Sequence, residues 1–101
     1  MTSVRFARRA FRELDRIEAW CRANRPALWP LFVSELTRAV RLLRVAPELG
    51  PEYQTERVRG VRRLLLEKTQ FYAYYRYHPA KSLVVVLSVW STHRRRPPSL
   101  R

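Results

Sequence analysis

Apolar residues along the chain follow first an extended pattern, then two helical patterns, and then an extended pattern again. Ser3–Phe6 is short and strand-like in character. From Ala7 to about Asn24 apolar residues return every three or four positions, which predicts an amphipathic helix. Glu13 is predicted to face water on this helix. Its apolar stripe consists of Ala10, Phe11, Leu14, Ile17, Trp20 and Cys21.

A second helix is predicted from about Ala27 to about Arg44. Pro26 separates it from the first, because proline disfavours helical geometry at the residue before it. Pro30 is compatible with this helix only in the first turn, where the N–H group that proline lacks has no helical partner. Pro47 ends the helix. Two helices joined by so short a link predict an antiparallel helical hairpin.

Residues 46–60 have the composition of a loop. They are followed by three strand-like runs, Val61–Glu67, Phe71–Tyr77 and Leu83–Ser91. The segments between these runs are short enough for hairpins, and the last run is nearly all hydrophobic, as in an interior strand covered by helices. The predicted order is β-α-α-β-β-β in one domain, residues 1–101. The predicted class is α+β, with the two-helix antiparallel hairpin packed on one face of a small, mainly antiparallel sheet.

Side chains of the middle run alternate between the two faces of the predicted sheet. The set that suits burial beneath the helices is Phe71, Ala73, Tyr75 and Tyr77. The set expected on the opposite, open face is Tyr72, Tyr74, Arg76 and His78. Guanidinium groups bind phosphates and carboxylates bidentately, and tyrosine stacks or donates a hydrogen bond. The open face is therefore predicted to bind an anionic partner.

Positive charge is concentrated in the second half of the chain. The 21 Lys and Arg residues outnumber the 8 Asp and Glu residues, for a net charge of +13. Residues 57–101 hold a net +10, with Glu67 as their one acid, and end in a short basic tail, residues 94–101, expected to be extended or loose from Pro97. Such a charge attracts anionic partners. Ordinary solvation of the surface and of the tail stays open as the alternative.

Composition also excludes several classes of protein. A hydrophobic fraction of 47% is too high for an intrinsically disordered chain, and no apolar run approaches the ~20 residues of a membrane-spanning helix. The single cysteine, Cys21, excludes an internal disulfide and a multi-cysteine zinc site. Two glycines allow no glycine-rich phosphate loop, and the two histidines, His78 and His93, fall short of a metal site unless an acid joins them, so neither a cofactor nor a metal is expected. The acids of the first helix argue against a targeting presequence, and the expected location is the cytoplasm.

Several segments match one family in order and spacing. Leu43–Gly50 reads L-x-x-x-P-x-x-G at the end of the second helix, Val61–Leu64 begins the first strand after the loop, and Phe71–Tyr77 contains the pair Tyr75-Arg76. The other matching positions are Ala10 and Leu14–Ile17 in the first helix, Phe32 and Leu36 in the second, and Val84–Trp90 followed by arginines. The chain thereby resembles the RelE/ParE superfamily of type II toxins along nearly its whole length.

The resemblance implies a growth-inhibiting toxin, with a role in plasmid stabilisation, that is silenced by a cognate antitoxin. The antitoxin is expected to be acidic and partly disordered, to fold on the toxin and to form a hetero-oligomer with it; no membrane partner is expected. RelE-like toxins cleave mRNA on the ribosome, whereas ParE-like toxins poison DNA gyrase. The ribonucleases commonly carry arginine where Tyr72 stands here, and they commonly end in a catalytic tyrosine where His93 is followed by Arg94. The resemblance therefore favours the ParE-like branch.

Two alternatives stay open. The first is a RelE-like, metal-independent endoribonuclease in which Arg62, Arg76, His93 and Arg94 would clamp the phosphate and transfer protons. The second is a non-toxic basic module that binds nucleic acid. The residues predicted to contact the target are Arg59, Arg62, Arg63, Tyr72, Tyr74, Arg76, Trp90, His93, Arg94, Arg95 and Arg96.

Overall fold

A computed structural model describes residues 1–100 and shows two helices packed on a five-stranded sheet. Arg101, the last residue of the predicted tail, lies outside the described residues. The elements are β1 (Ser3–Phe6), α1 (Arg8–Asn24), α2 (Leu28–Val45), β2 (Glu52–Tyr53), β3 (Val61–Leu66), β4 (Phe71–His78) and β5 (Leu83–Ser91). A 3₁₀ turn, Pro79–Lys81, joins β4 to β5. The helix and strand boundaries agree with the predicted ones to within one residue.

The strand order across the sheet is β1-β5-β4-β3-β2. β1 runs parallel to β5, and every other neighbouring pair is antiparallel. β5 is therefore an interior strand, which accounts for its nearly continuous hydrophobic sequence. The α+β class and the mainly antiparallel sheet are confirmed.

The predicted loop over residues 46–60 contains a strand that the sequence pattern did not indicate. In β2, Glu52 pairs with Arg62 and Tyr53 pairs with Val61. Two residues are too few to show an alternating pattern, so β2 depends on the tertiary contact with β3 and not on its own sequence. It extends the sheet by one short edge strand.

The main core lies between the helices and the sheet. Phe32 of α2 is fully buried, with its ring centre 5.0 Å from that of Phe71 and 5.6 Å from that of Trp29. The buried residues of this core are Ala10, Phe32, Ala39, Leu43, Leu66, Tyr75, Val84, Val86 and Val89. Within residues 1–100 no helix is both long and apolar enough to cross a lipid bilayer.

Glu13 lies in this interface, and the prediction that it faces water is wrong. Its side chain accepts hydrogen bonds from the Ser88 hydroxyl (2.8 Å), the Val89 N–H (2.9 Å) and Arg9 Nε (3.1 Å). Glu13 lies three residues from Ala10 and four from Ile17, so it occupies the apolar stripe of α1. Burial is tolerated because both oxygens of the carboxylate accept hydrogen bonds.

A second, smaller core covers the face of the sheet that was predicted to be open. Tyr74 is only 2% exposed there and packs with Val58, Val61 and Leu100. Pro98 is also buried, so this part of the tail is docked on the sheet. Of the two forms predicted for it, extended or loose, the loose one is wrong for these residues. The reason is apolar burial: the tail supplies the side chains that shield Tyr74 from water.

Glu35 of α2 holds the turn between β3 and β4. It accepts hydrogen bonds from the N–H groups of Lys68 (2.8 Å) and Thr69 (2.9 Å) and from the Thr69 hydroxyl (2.6 Å). Burial alone would raise the pKa of Glu35, but these hydrogen bonds and the charge of Lys68 outweigh it and lower the pKa below its ordinary value. The ionised carboxylate therefore stabilises the fold.

We expect this stabilisation to be lost in acid. Because the pKa of Glu35 is lower in the folded than in the unfolded chain, its contribution is present above the unfolded pKa of about 4.3 and disappears as the pH falls through the folded pKa. Urea unfolding of wild type and Glu35→Gln should show a stability difference at pH 7 that shrinks by pH 3. A difference independent of pH would contradict this role of Glu35.

Candidate functional site

Three tyrosines surround one arginine on the face of the sheet opposite the helices. The guanidinium carbon of Arg63 lies 4.0 Å from the ring centre of Tyr72, 4.9 Å from that of Tyr53 and 6.0 Å from that of Tyr74. We call these four residues the tyrosine cluster. Burial raises the pKa of Tyr74, although the hydrogen bond and the charge of Arg63 act in the opposite direction. Arg63, Tyr72 and Tyr74 were predicted as target-binding residues, whereas Tyr53 was missed because it lies in the unpredicted strand β2.

Three consecutive arginines, Arg94–Arg96, follow the end of β5. The guanidinium carbon of Arg94 lies 4.2 Å from the ring centre of Trp90, and the indole N–H of Trp90 donates to the carbonyl oxygen of Arg96 at 2.7 Å. We call Arg94–Arg96 the basic arch. Arg9 of α1 lies 6.0 Å from the ring centre of the same Trp90. The tryptophan thus holds the arch in place, and Arg9, which forms an ion pair with Glu13, approaches the same ring from a helix that the sequence prediction did not connect with the tail.

Arg59 and Arg76 meet at the other end of the same face. Arg76 donates to the carbonyl oxygen of Arg59, whose own side chain donates to Gln54 at 3.1 Å. Gly60, between them, has a φ of +69°, a left-handed conformation that favours glycine. The backbone turn at Gly60 therefore brings the Arg76 guanidinium to the backbone of Arg59.

Arg62 is held by acidic and carbonyl groups of its own chain. Its guanidinium lies 3.5 Å from a carboxylate oxygen of Glu48 and 3.6 Å from one of Glu52, and it donates to the carbonyl oxygens of Glu48 (3.2 Å) and Gly50 (2.9 Å). Because Arg62 pairs with Tyr75 across β3 and β4, it belongs to the helix-side face of the sheet. Among the predicted arginines within residues 1–100, it is the one found in an ion pair.

The four candidate nuclease residues are spread over the molecule. Arg62 and Arg76 lie on opposite faces, since Arg76 follows Tyr75 on β4. His93 and Arg94 follow the end of β5 that pairs with Phe71, five residues and therefore roughly 17 Å along the strand from Arg76. His93 is exposed. The structure does not bring these four side chains to one point.

The segment L-x-x-x-P-x-x-G is fixed to the sheet by a buried tyrosine. The N–H of Gly50 donates to the Tyr75 hydroxyl at 2.9 Å, and Tyr75 is fully buried. Burial raises the pKa of Tyr75, while the Gly50 hydrogen bond acts in the opposite direction. A Cβ atom on Gly50 would lie 2.8 Å from the Arg63 carbonyl oxygen. Glycine is required here by the close approach of two backbones.

A groove of about 560 Å³ opens between α1 and the adjoining ends of β4 and β5. Ile17, Phe71 and Val89 contribute to its apolar surface. Its basic residues are Arg16, Arg25, Lys68 and Arg94, and His93 and Trp20 also line it. The sequence prediction missed Arg16, Arg25 and Lys68, which come from separate elements and share no motif. Within residues 1–100 no three His, Cys, Asp or Glu side chains are grouped so that they could hold a metal ion.

This architecture, a helical hairpin on a mainly antiparallel sheet with a basic opposite face, defines a class of small basic α+β proteins. A family model described as the ParE toxin of the type II toxin–antitoxin system parDE matches residues 4–96. The chain belongs to this family and is a toxin of a type II toxin–antitoxin system.

Solved structures agree with this assignment. The chain is 26% identical to a chain of the chromosomal ParDE toxin–antitoxin system from P. aeruginosa, with a TM-score of 0.72 over 90% of this chain and 96% of that one. A chain of the intact E. coli RelBE toxin–antitoxin complex gives a TM-score of 0.64 at 16% identity, over 93% of this chain and 100% of that one. The isolated E. coli RelE toxin gives a TM-score of 0.64 at 16% identity, over 95% of this chain and 89% of that one. The two E. coli matches show a shared fold. A comparison with curated protein sequences gave no match.

Proposed function

We propose that this toxin acts as a ParE-like poison of DNA gyrase and is not a nuclease. The observation that carries the proposal is the separation of Arg62, Arg76 and His93 over two faces and two ends of the sheet. Metal-independent cleavage of RNA needs a base, an acid and a phosphate clamp within hydrogen-bond reach of one phosphodiester. The family match over residues 4–96 supports the same branch.

The toxin would contact gyrase through the face of its sheet opposite the helices. The tyrosine cluster, the Arg59–Arg76 pair and the basic arch all belong to this face or its rim. The side chains of Arg95 and Arg96 are exposed and can contact an anionic surface, as can that of Arg59, which also donates to Gln54. Positive charge on the surface of a small protein speeds its encounter with an acidic or DNA-bound target.

A cognate antitoxin would silence the toxin by covering the groove beside α1. The groove combines an apolar floor with the positive charges of Arg16, Arg25, Lys68 and Arg94, whereas its one acid, Glu13, is already hydrogen-bonded. An acidic segment with apolar side chains at helical spacing is complementary to such a surface and can fold as it binds. The antitoxin complexes named for the P. aeruginosa and E. coli relatives support this partner.

A supercoiling assay tests the proposal. Purified toxin is titrated into purified gyrase, ATP and relaxed plasmid, and we expect supercoiling to be lost as toxin approaches excess over gyrase. Relaxation of the same plasmid by a type I topoisomerase is the control, and it should be unaffected. Supercoiling that continues unchanged at excess toxin would contradict the proposal. Codon-associated cleavage of ribosome-bound mRNA in a parallel translation reaction would instead support the RelE-like alternative.

A further inference from the structure

The positive charge of the basic arch is not neutralised by the acids of the described chain. The carboxylates in ion pairs are Glu13, Glu18, Glu48 and Glu52, and their partners are Arg9, Arg22 and Arg62. Across residues 1–100 no carboxylate lies within ion-pair distance of Arg94–Arg96. Three adjacent cations raise the local potential and favour an anion that carries several charges in a row.

The arch is also held in one conformation before any ligand arrives. Arg94 is stacked on Trp90, the Arg96 carbonyl is hydrogen-bonded to the same indole, and Leu100 is 7% exposed in the second core. Arg95 and the side chain of Arg96 remain exposed between these two attachments. A segment whose backbone is already ordered loses less entropy on binding than a loose tail does. This arrangement distinguishes the arch from a merely solvated terminus.

The aromatic rings near the arch already carry guanidinium groups of the same chain. Trp90 is covered by Arg94 at 4.2 Å and Tyr72 by Arg63 at 4.0 Å. Proteins that bind single-stranded nucleic acid use exposed aromatic faces on which unpaired bases stack. Because these faces are occupied, the surface favours a polyanion with its bases stacked inside, as they are in a duplex.

We propose that the basic arch binds the phosphate backbone of duplex DNA without reading its base sequence. Each residue of the arch carries one positive charge, and each strand of a duplex presents one phosphate for about every 3.4 Å of its axis. The inference rests on the proposed function in one respect, namely that the relevant duplex is the DNA held by gyrase. The toxin would then contact enzyme and DNA together.

Fluorescence anisotropy with a labelled 20-base-pair duplex tests this inference in the absence of gyrase. The Arg95→Ala/Arg96→Ala variant removes two exposed side chains, and the Arg38→Ala/Arg41→Ala variant removes the same charge from exposed positions of α2, on the opposite side of the sheet. Each phosphate contact contributes about 0.9 to the slope of log affinity against log salt. The slope measured for the arch variant should therefore be shallower than that of wild type by about 1.8. Between 50 and 200 mM salt the affinity of the arch variant should then fall about 12-fold less than that of wild type, while the slope of the α2 variant should change little.

Besides the absence of duplex binding, three results would overturn the inference. One is an equal loss of slope in both variants, which would indicate a diffuse charge effect. Another is tighter binding to a single strand of the same sequence than to the duplex. The third is equally tight binding of a 20-residue glutamate-rich peptide, which would assign the arch to an acidic protein. Gyrase inhibition without duplex binding would overturn only this inference, whereas duplex binding without gyrase inhibition would overturn only the proposed function.

Discussion

Replacement of Glu13 by alanine is expected to destabilise the fold by about 3–5 kcal/mol. The substitution removes the acceptor for the Ser88 hydroxyl and the Val89 N–H, both buried beneath α1, and it leaves Arg9 without its ion pair. A buried donor without a partner costs about 1–3 kcal/mol, so the two donors account for most of the effect. Urea unfolding at pH 7 measures it.

Glu18→Ala is the matched control, because Glu18 forms an exposed ion pair with Arg22 on the same helix. Exposed pairs contribute about 0–1 kcal/mol. Glu13→Gln should fall between the two, since the amide oxygen can still accept from Ser88 and Val89 while the charge is lost. If Glu13→Ala costs no more than Glu18→Ala, the carboxylate does not hold α1 against β5.

The sequence predicted the elements well where short-range chemistry sets their limits. Pro26 separates the two helices, Pro30 lies within the first turn of α2 as its missing N–H requires, and Pro47 follows the end of α2. The strands after the loop are long enough to show alternation, and Phe71–Tyr77 has the predicted assignment of faces. These features depend on residues close together in the chain.

The errors all involve contacts between distant residues. β2 exists only because Glu52 and Tyr53 pair with β3, and the second core exists only because Leu100 reaches Tyr74. Glu13 could have been recognised from its place on the apolar stripe, but the donors that make its burial possible belong to β5, 75 residues away for Ser88. Neither composition nor periodicity contains that information.

In the candidate site too, the sequence predicted what neighbouring residues determine and missed what contacts between distant residues determine. The sequence predicted an open basic face with tyrosines. The structure places these residues on one face, but a second core covers part of it and buries Tyr74, and the sequence could not say which arginines are paired. Arg62 is neutralised by Glu48 and Glu52, and Arg63 and Arg94 lie over aromatic rings. Among the arginines predicted to contact the target, the exposed ones are Arg59 and Arg94–Arg96. Internal pairing therefore narrows the predicted binding surface to its two ends.

Gly50→Ala is expected to destabilise the fold by about 3 kcal/mol, the upper part of the range for overpacking a buried site. The new Cβ would lie 2.8 Å from the Arg63 carbonyl oxygen and 2.8 Å from the Tyr75 hydroxyl. Neither atom can withdraw, because one belongs to the backbone of β3 and the other to a fully buried side chain that accepts the Gly50 N–H hydrogen bond. Thermal and urea unfolding measure the loss.

Gly60→Ala provides the comparison, because it introduces the same methyl group at the other glycine of the chain. There the nearest atom is the flexible Arg76 guanidinium at 3.2 Å, and the main cost is the positive φ of +69°, about 1–2 kcal/mol. A larger loss at Gly50 than at Gly60 would establish close packing, and not backbone conformation, as the reason for the glycine that ends L-x-x-x-P-x-x-G. Equal losses would show that the loop moves away from Tyr75 and that the segment is not fixed by this contact.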